Sequence, residues 1–197
     1  MTIIRSALLL LLSWAPLAAQ TPARAIPDGT VQAGTLSFDG RATTGDFTGT
    51  TTAVTGELHG GELTAVRGWV EAPVRTLSTG NRKRDRDLNK SMESDKYPVI
   101  RFELTGVDAP GDAGDSVQVT LRGRFIIHGR THEATVPASL SFHNAGVRVR
   151  GETPLSLKDY DIGGLTKMLG MLKMDEKIVV HVDLTFGAAE SSRPALR

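Results

Sequence analysis

Residues Ser116–His143 read SVQVTLRGRFIIHGRTHEATVPASLSFH, and this stretch decides the fold. Val117, Val119, Leu121, Phe125 and Ile127 fall on one side of a two-residue period, with Gln118, Thr120, Arg122 and Arg124 on the other. After His128-Gly129-Arg130 the pattern resumes, with Ala134, Val136, Ala138, Leu140 and Phe142 set against Glu133, Thr135, Ser139 and His143. A period of two is the mark of a strand with one buried and one wet face, and a glycine-containing break between two such runs is a hairpin. The same reading extends outward. Ile178, Val180, Val182, Leu184 and Phe186 alternate with Val179, His181, Asp183 and Thr185, while His59-Gly60-Gly61 and Asn144-Ala145-Gly146 supply further turns.

The predicted strands are 31–38, 47–58, 62–73, 99–107, 116–127, 131–143, 146–156 and 177–186. An open antiparallel sheet of this size would leave edges to protect, so the fold expected is all-β, an eight-stranded antiparallel barrel closed on itself, with a two-sheet sandwich as the alternative. Two stretches break the alternation. Asn81–Lys90 is rich in charge and in helix formers and predicts a short helix or helical turn, and 163–173, with Leu165, Met168, Leu169 and Leu172 at spacings of three and four, predicts a second short helix or a flap.

Composition narrows the function classes. The chain has 197 residues, 40% hydrophobic, which is enough for one packed domain. Lys+Arg number 23 against 22 Asp+Glu, so no electrostatic footprint for nucleic acid exists. There is no Cys, which removes disulfides, thiol catalysis and cysteine-ligated zinc. Arg5 followed by the apolar run Ala7–Leu12 and small residues at 17–19 is a secretory leader, with cleavage after 19 or as late as 25. The run is interrupted at Ser13 and Pro16, short of the roughly 20 residues a membrane span needs. A periplasmic or secreted domain over 26–187 is therefore expected, with 188–197 as a disordered tail.

The inward-facing candidates are Phe102, Leu104, Leu121, Phe125, Val136, Leu140, Val180 and Leu184, with Leu165, Met168, Leu169 and Met171 as an apolar lip. Eight strands make a barrel that either packs shut or holds one ligand, and alternation alone leaves both open. Small side chains favour a cavity. His128 and His132 are four apart but flank a turn, and no third ligand accompanies them, so no metal site is expected. Nucleophile-elbow, zincin, phosphate-loop and dinucleotide motifs are lacking, so the expectation is a binder and not an enzyme.

Three motifs occur in order: Thr79-Gly80-Asn81-x-x-Arg84-Asp85-x-x-Leu88, then Lys96-Tyr97-Pro98-x-Ile100-x-Phe102, then Gly123-x-Phe125-x-Ile127-His128-Gly129-x-Thr131. In this order, after a leader, they resemble the YceI-like family of secreted lipocalin-like barrels over about Thr30–Phe186. The resemblance implies a bound polyisoprenoid, isoprenoid quinone or similar long-chain lipid as the partner, with no other cofactor. Candidate head-group residues are Arg84, Asp85, Arg86 and His128, since guanidinium forks suit phosphate oxygens. The competing assignment for the charged stretch is a solvated helix face. Phe125-Ile126 before the His-Gly turn and Lys158-Asp159-Tyr160-Asp161 after Leu157 depart from the common family pattern. Two other readings stand beside the carrier: an envelope stress-response or interaction module with a packed core, and an enzyme acting on a lipid head group. A homodimer is compatible with the strand edges, and no residue specifies one.

Overall fold

The computed structural model describes residues 26–43, 45–109, 116–143, 146–163, 166–167 and 172–188. The expected leader and tail lie outside them. Strands β1 (Gly29–Gly40), β2 (Phe47–Thr51), β3 (Thr55–His59) and β4 (Arg67–Pro73) precede helix α1 (Arg82–Ser91). Then come β5 (Val99–Asp108), β6 (Ser116–Ile127), β7 (Arg130–His143) and β8 (Gly146–Ser156). The short β9 (Thr166–Lys167) and β10 (Leu172–Lys173) precede β11 (Lys177–Gly187). The ring β1-β11-β8-β7-β6-β5-β4-β3 closes through β1 with antiparallel pairing throughout, and β2 is an extra strand beside the far end of β1. The eight-stranded barrel expected from alternation is the fold observed.

Long strands with a strict period give a wall with two chemically distinct surfaces. The β6–β7 register sets Val117 against Leu140, Val119 against Ala138 and Leu121 against Val136, so both apolar sets face the same interior. His128 and Gly129 at the hairpin tip have φ of +51° and +72°, the paired positive values that a two-residue turn matched to strand twist requires.

The predicted strand 47–58 is two strands. Thr51 Oγ1 accepts the Ala53 amide at 3.1 Å, a local side-chain bond that takes a donor from the ladder. The predicted strand at 62–73 starts at Arg67, because Leu63–Ala65 form a 3-10 turn. Of the stretch 163–173, expected as a short helix or a flap, residues 166–167 and 172–173 are the paired strands β9 and β10, so the flap is the form observed there, and glycines at 163, 164 and 170 weigh against helix by about 1 kcal/mol each.

Packing divides the interior along its axis. Toward one end Val66, Val107, Val117, Leu140, Phe142, Val147, Leu184 and Phe186 are all buried, and Ile26 bridges Gly61 across that end. The other end is covered by α1, whose Leu88 and Met92 pack with Ile127, Leu155, Leu157, Tyr160 and Ile178.

Candidate functional site: an apolar lumen under helix α1

A cavity of about 670 Å³ runs along the barrel interior, from Ile26, Val66 and Phe186 at one end to Leu88 and Met92 under α1 at the other. Its wall follows from the register. Val70 lies opposite Phe102, Phe102 opposite Phe125, and Val182 opposite both Leu36 and Gly151, so one row after another points inward. Gly68 lies opposite Leu104 on the wall and adds no side chain to the row they share. Phe102, Leu104, Phe125, Val149, Val180 and Val182 point inward yet are only half-buried, so they do not meet at the axis. Inward apolar surface that stays accessible is what an unfilled lumen looks like in a fold whose interiors otherwise pack to crystal-like density.

All eight strand positions read as inward-facing from the sequence line this cavity: Phe102, Leu104, Leu121, Phe125, Val136, Leu140, Val180 and Leu184. Leu121, Val136, Leu140 and Leu184 are buried, whereas the others are half-buried. Leu165, Met168, Leu169 and Met171 lie outside the described residues. The strand reading leaves out Leu36, Phe38 and Val149, which the same period of two places inward, and Val182, read on the apolar face of 177–186, lines the cavity too. It also missed Leu88 and Met92, which with Arg84 make an i, i+4, i+8 stripe on α1 facing the lumen.

Helix α1 is held over the opening by its first turn. Asn81 is the N-cap, its side chain accepting the amides of Lys83 and Arg84 at 3.0 and 3.1 Å. The Asp85 carboxylate accepts the hydroxyl and amide of Thr79 at 2.6 and 2.8 Å, and Ser78 just before it bridges Thr50 of β2. Those bonds, the Thr79 hydroxyl first, hold the Asp85 carboxyl below its ordinary range.

The four candidate head-group residues therefore separate. Arg84 lines the cavity with its guanidinium stacked 4.2 Å from the Phe47 ring centre, and the exposed Lys83 lines it too. Asp85 does not line it; its carboxylate is engaged in fastening the loop that carries α1. Arg86 is exposed and is not on the cavity wall, since it sits two residues round the helix from Arg84. His128 is buried elsewhere, with Nδ1 donating to the Tyr160 carbonyl at 2.8 Å and its ring 4.6 Å from that of Tyr97. Its neighbour in the proposed pair, His132, donates from Nε2 to the Asp159 carbonyl at 2.9 Å. The two imidazoles have separate backbone partners. Among the described residues no group of three metal-ligating side chains comes together.

The outer face is charged and cross-linked. Glu103 accepts from Arg101 and Arg124, and Asp183 from Arg148 and Arg150. Hydrogen bonds from Arg124 and Arg148, respectively, are the main causes holding those carboxyls below their usual range. No helix among the described residues is long and apolar enough to cross a membrane.

A YceI-like domain matches residues 30–186, which is most of the chain. The chain belongs to the YceI-like family. Solved structures with the same fold include a polyisoprenoid binding domain from Saccharophagus degradans, implicated in plant cell wall breakdown. It is 15% identical with a TM-score of 0.69, covering 83% of this chain and 99% of that one. BcnA of Burkholderia cenocepacia is 14% identical with a TM-score of 0.64, covering 77% and 95%. The YCEI protein of Campylobacter jejuni is 14% identical with a TM-score of 0.53, covering 63% and 73%. No curated protein matches the chain.

Proposed function

We propose that this protein is a periplasmic or secreted carrier that sequesters the apolar chain of a polyisoprenoid, isoprenoid quinone or similar long amphiphile, catalysing no reaction on it. The observation that carries this is the unfilled lumen: half-buried Phe102, Leu104, Phe125, Val149, Val180 and Val182 around about 670 Å³. A cavity of that size lies within the range that small ligands occupy. Each Å² of hydrocarbon moved there from water is favourable by about 25 cal/mol. Membership in the YceI-like family and the likeness of fold to a polyisoprenoid binding domain support the ligand class. An anionic polar end suits the α1 mouth, where Lys83 and Arg84 outnumber Asp87 on the wall. A barrel packed shut, as the interaction-module reading requires, is disfavoured by the same hollow.

The apolar run Ala7–Leu12 after Arg5, followed by Ala18 and Ala19, supports export. The test is expression of the full chain in a bacterial host, with the exported protein purified without delipidation and its organic extract examined by mass spectrometry. A stoichiometric prenyl lipid or quinone in the extract is the expected result. Repeated preparations free of lipid, together with no binding to a series of polyprenols and quinones, would overturn the reading.

A further inference from the structure

The barrel wall has a seam between β7 and β8. Their ladder runs from the His143–Gly146 pair to the Ala138–Gly151 pair and stops there, although β7 continues back to Arg130 and β8 on to Ser156. Counting on from the last pair would set Pro137 against Glu152, Val136 against Thr153 and Thr135 against Pro154. Each strand thus carries a proline within the first three missing pairs, and proline has no amide hydrogen to give. Where Pro154 has no donor for the Thr135 carbonyl, the buried Thr153 hydroxyl reaches it at 3.4 Å. Beyond this window the strand is tied again, by His132 to the Asp159 carbonyl and by its ring 4.9 Å from that of Tyr160.

A second cavity, about 320 Å³, sits in the window. Residues from both faces of each strand line it: Ala134 and Thr135 of β7, Thr153, Pro154, Leu155 and Ser156 of β8. Phe125, Thr153 and Leu155 line this cavity and the lumen alike, so a single layer of side chains divides the two. The other interruption of the wall, between β1 and the β2–β3 connection, has Val54 packed against the core.

We propose that the β7–β8 window is a lateral subsite of the lumen, taking the uncharged oxygen-bearing end, a hydroxyl or carbonyl, of a lipid whose chain lies inside. This rests on the reading of the lumen as a lipid site. Thr153 both donates and accepts, and the strand edges offer backbone groups that no ladder consumes. No Lys or Arg lines the window, whereas Glu133 and Asp159 do, so a phosphate is repelled there. A charged end would also have to pass Phe125 and Leu155, where its desolvation is uncompensated. The two openings differ in charge: Lys83 and Arg84 outnumber Asp87 on the lumen wall at α1, whereas Glu133 and Asp159 line the seam.

The chain has no Cys, so Ser156→Cys provides a single thiol at the window for blocking with N-ethylmaleimide after folding. Affinity is measured for geranylgeraniol and for geranylgeranyl phosphate, first on wild type and then on the variant before and after modification. Blocking is expected to weaken the alcohol about tenfold or more and the phosphate far less, a difference of about one decade in Kd. In a second variant, Thr153→Val, the ratio of alcohol to phosphate affinity falls about fivefold, the worth of one hydrogen bond. Complete modification without effect on the alcohol, or equal losses for both compounds, would overturn the proposal. If wild type binds neither compound, the lipid reading itself fails and the subsite with it; the wild-type measurement tells the two failures apart.

Discussion

Replacing Val182 with Phe distinguishes a hollow barrel from a packed one by the sign of a stability change. Val182 faces inward on β11, stays half-buried, and has on one side Gly151, which offers no side chain, and on the other Leu36. Full burial is worth about 1.5–3 kcal/mol for either side chain, so a ring accommodated in the cavity changes stability by between 0 and about +1 kcal/mol. In a filled core the added atoms would force strain, costing about 1–3 kcal/mol. Ala138→Phe is the internal control. Ala138 is 5% exposed, is not on the cavity wall, and lies 3.0 Å from where a Cβ on Gly151 would be, so the larger ring there destabilises by about 1–3 kcal/mol or more. Urea unfolding with a shared m-value reads both changes. The Val182→Phe ring also displaces ligand: roughly 100 Å² of lost chain contact at about 25 cal/mol per Å² is about 2.5 kcal/mol, some sixtyfold in Kd for a prenylated quinone. Equal destabilisation by both substitutions, with quinone affinity intact, would refute the assignment of the cavity as the binding lumen.

Arg84→Gln removes the guanidinium on the lumen wall and is expected to weaken a prenyl phosphate about tenfold at low salt, with the effect shrinking as salt rises. Isothermal titration at two ionic strengths checks it. Asn81→Ala removes the acceptor for two amides of the first turn of α1 and should cost about 1 kcal/mol, read as a lower Tm. Because Arg148 holds the Asp183 carboxyl below its unfolded value, their coupling contributes fully above the ordinary carboxylate range and is lost as pH falls through the folded value. The stability gap between wild type and Arg148→Met should therefore close in acid, as followed by urea unfolding across pH. Burial, then the nearby Asp159, push the Tyr160 phenol up to about 12, so its ultraviolet titration should sit well above that of free tyrosine. The folded state keeps this proton where the unfolded chain loses it, so stability declines as pH rises above about 10.

Much of this protein is written in a period of two. The alternation in Ser116–His143 and Ile178–Phe186, with the His128-Gly129 turn, is enough to derive strands and inward faces, because side-chain direction along a strand depends only on parity. Parity also brought all eight strand positions to the cavity wall. The charged residues of the helix were not legible in this way. Arg84, Asp85 and Arg86 are consecutive, yet one lines the lumen, one fastens a loop through Thr79 and one is exposed. A helix turns about 100° per residue, so neighbours in sequence have different surroundings. At 163–173 the helix alternative gives way for a related reason: spacings of three and four in a short glycine-containing segment carry little weight against pairing.

Whether the barrel is hollow was decided only in three dimensions. Free volume is what remains after side chains from different strands meet across the axis, and that sum depends on register, on which small residues fall in the same row. Gly68 and Leu104 are far apart in the chain and become neighbours on the cavity wall through the ladder. The seam has the same origin. Pro137 and Pro154 each forfeit a donor in their own strand, but they open a window in the wall only because the fold lays those two strands side by side.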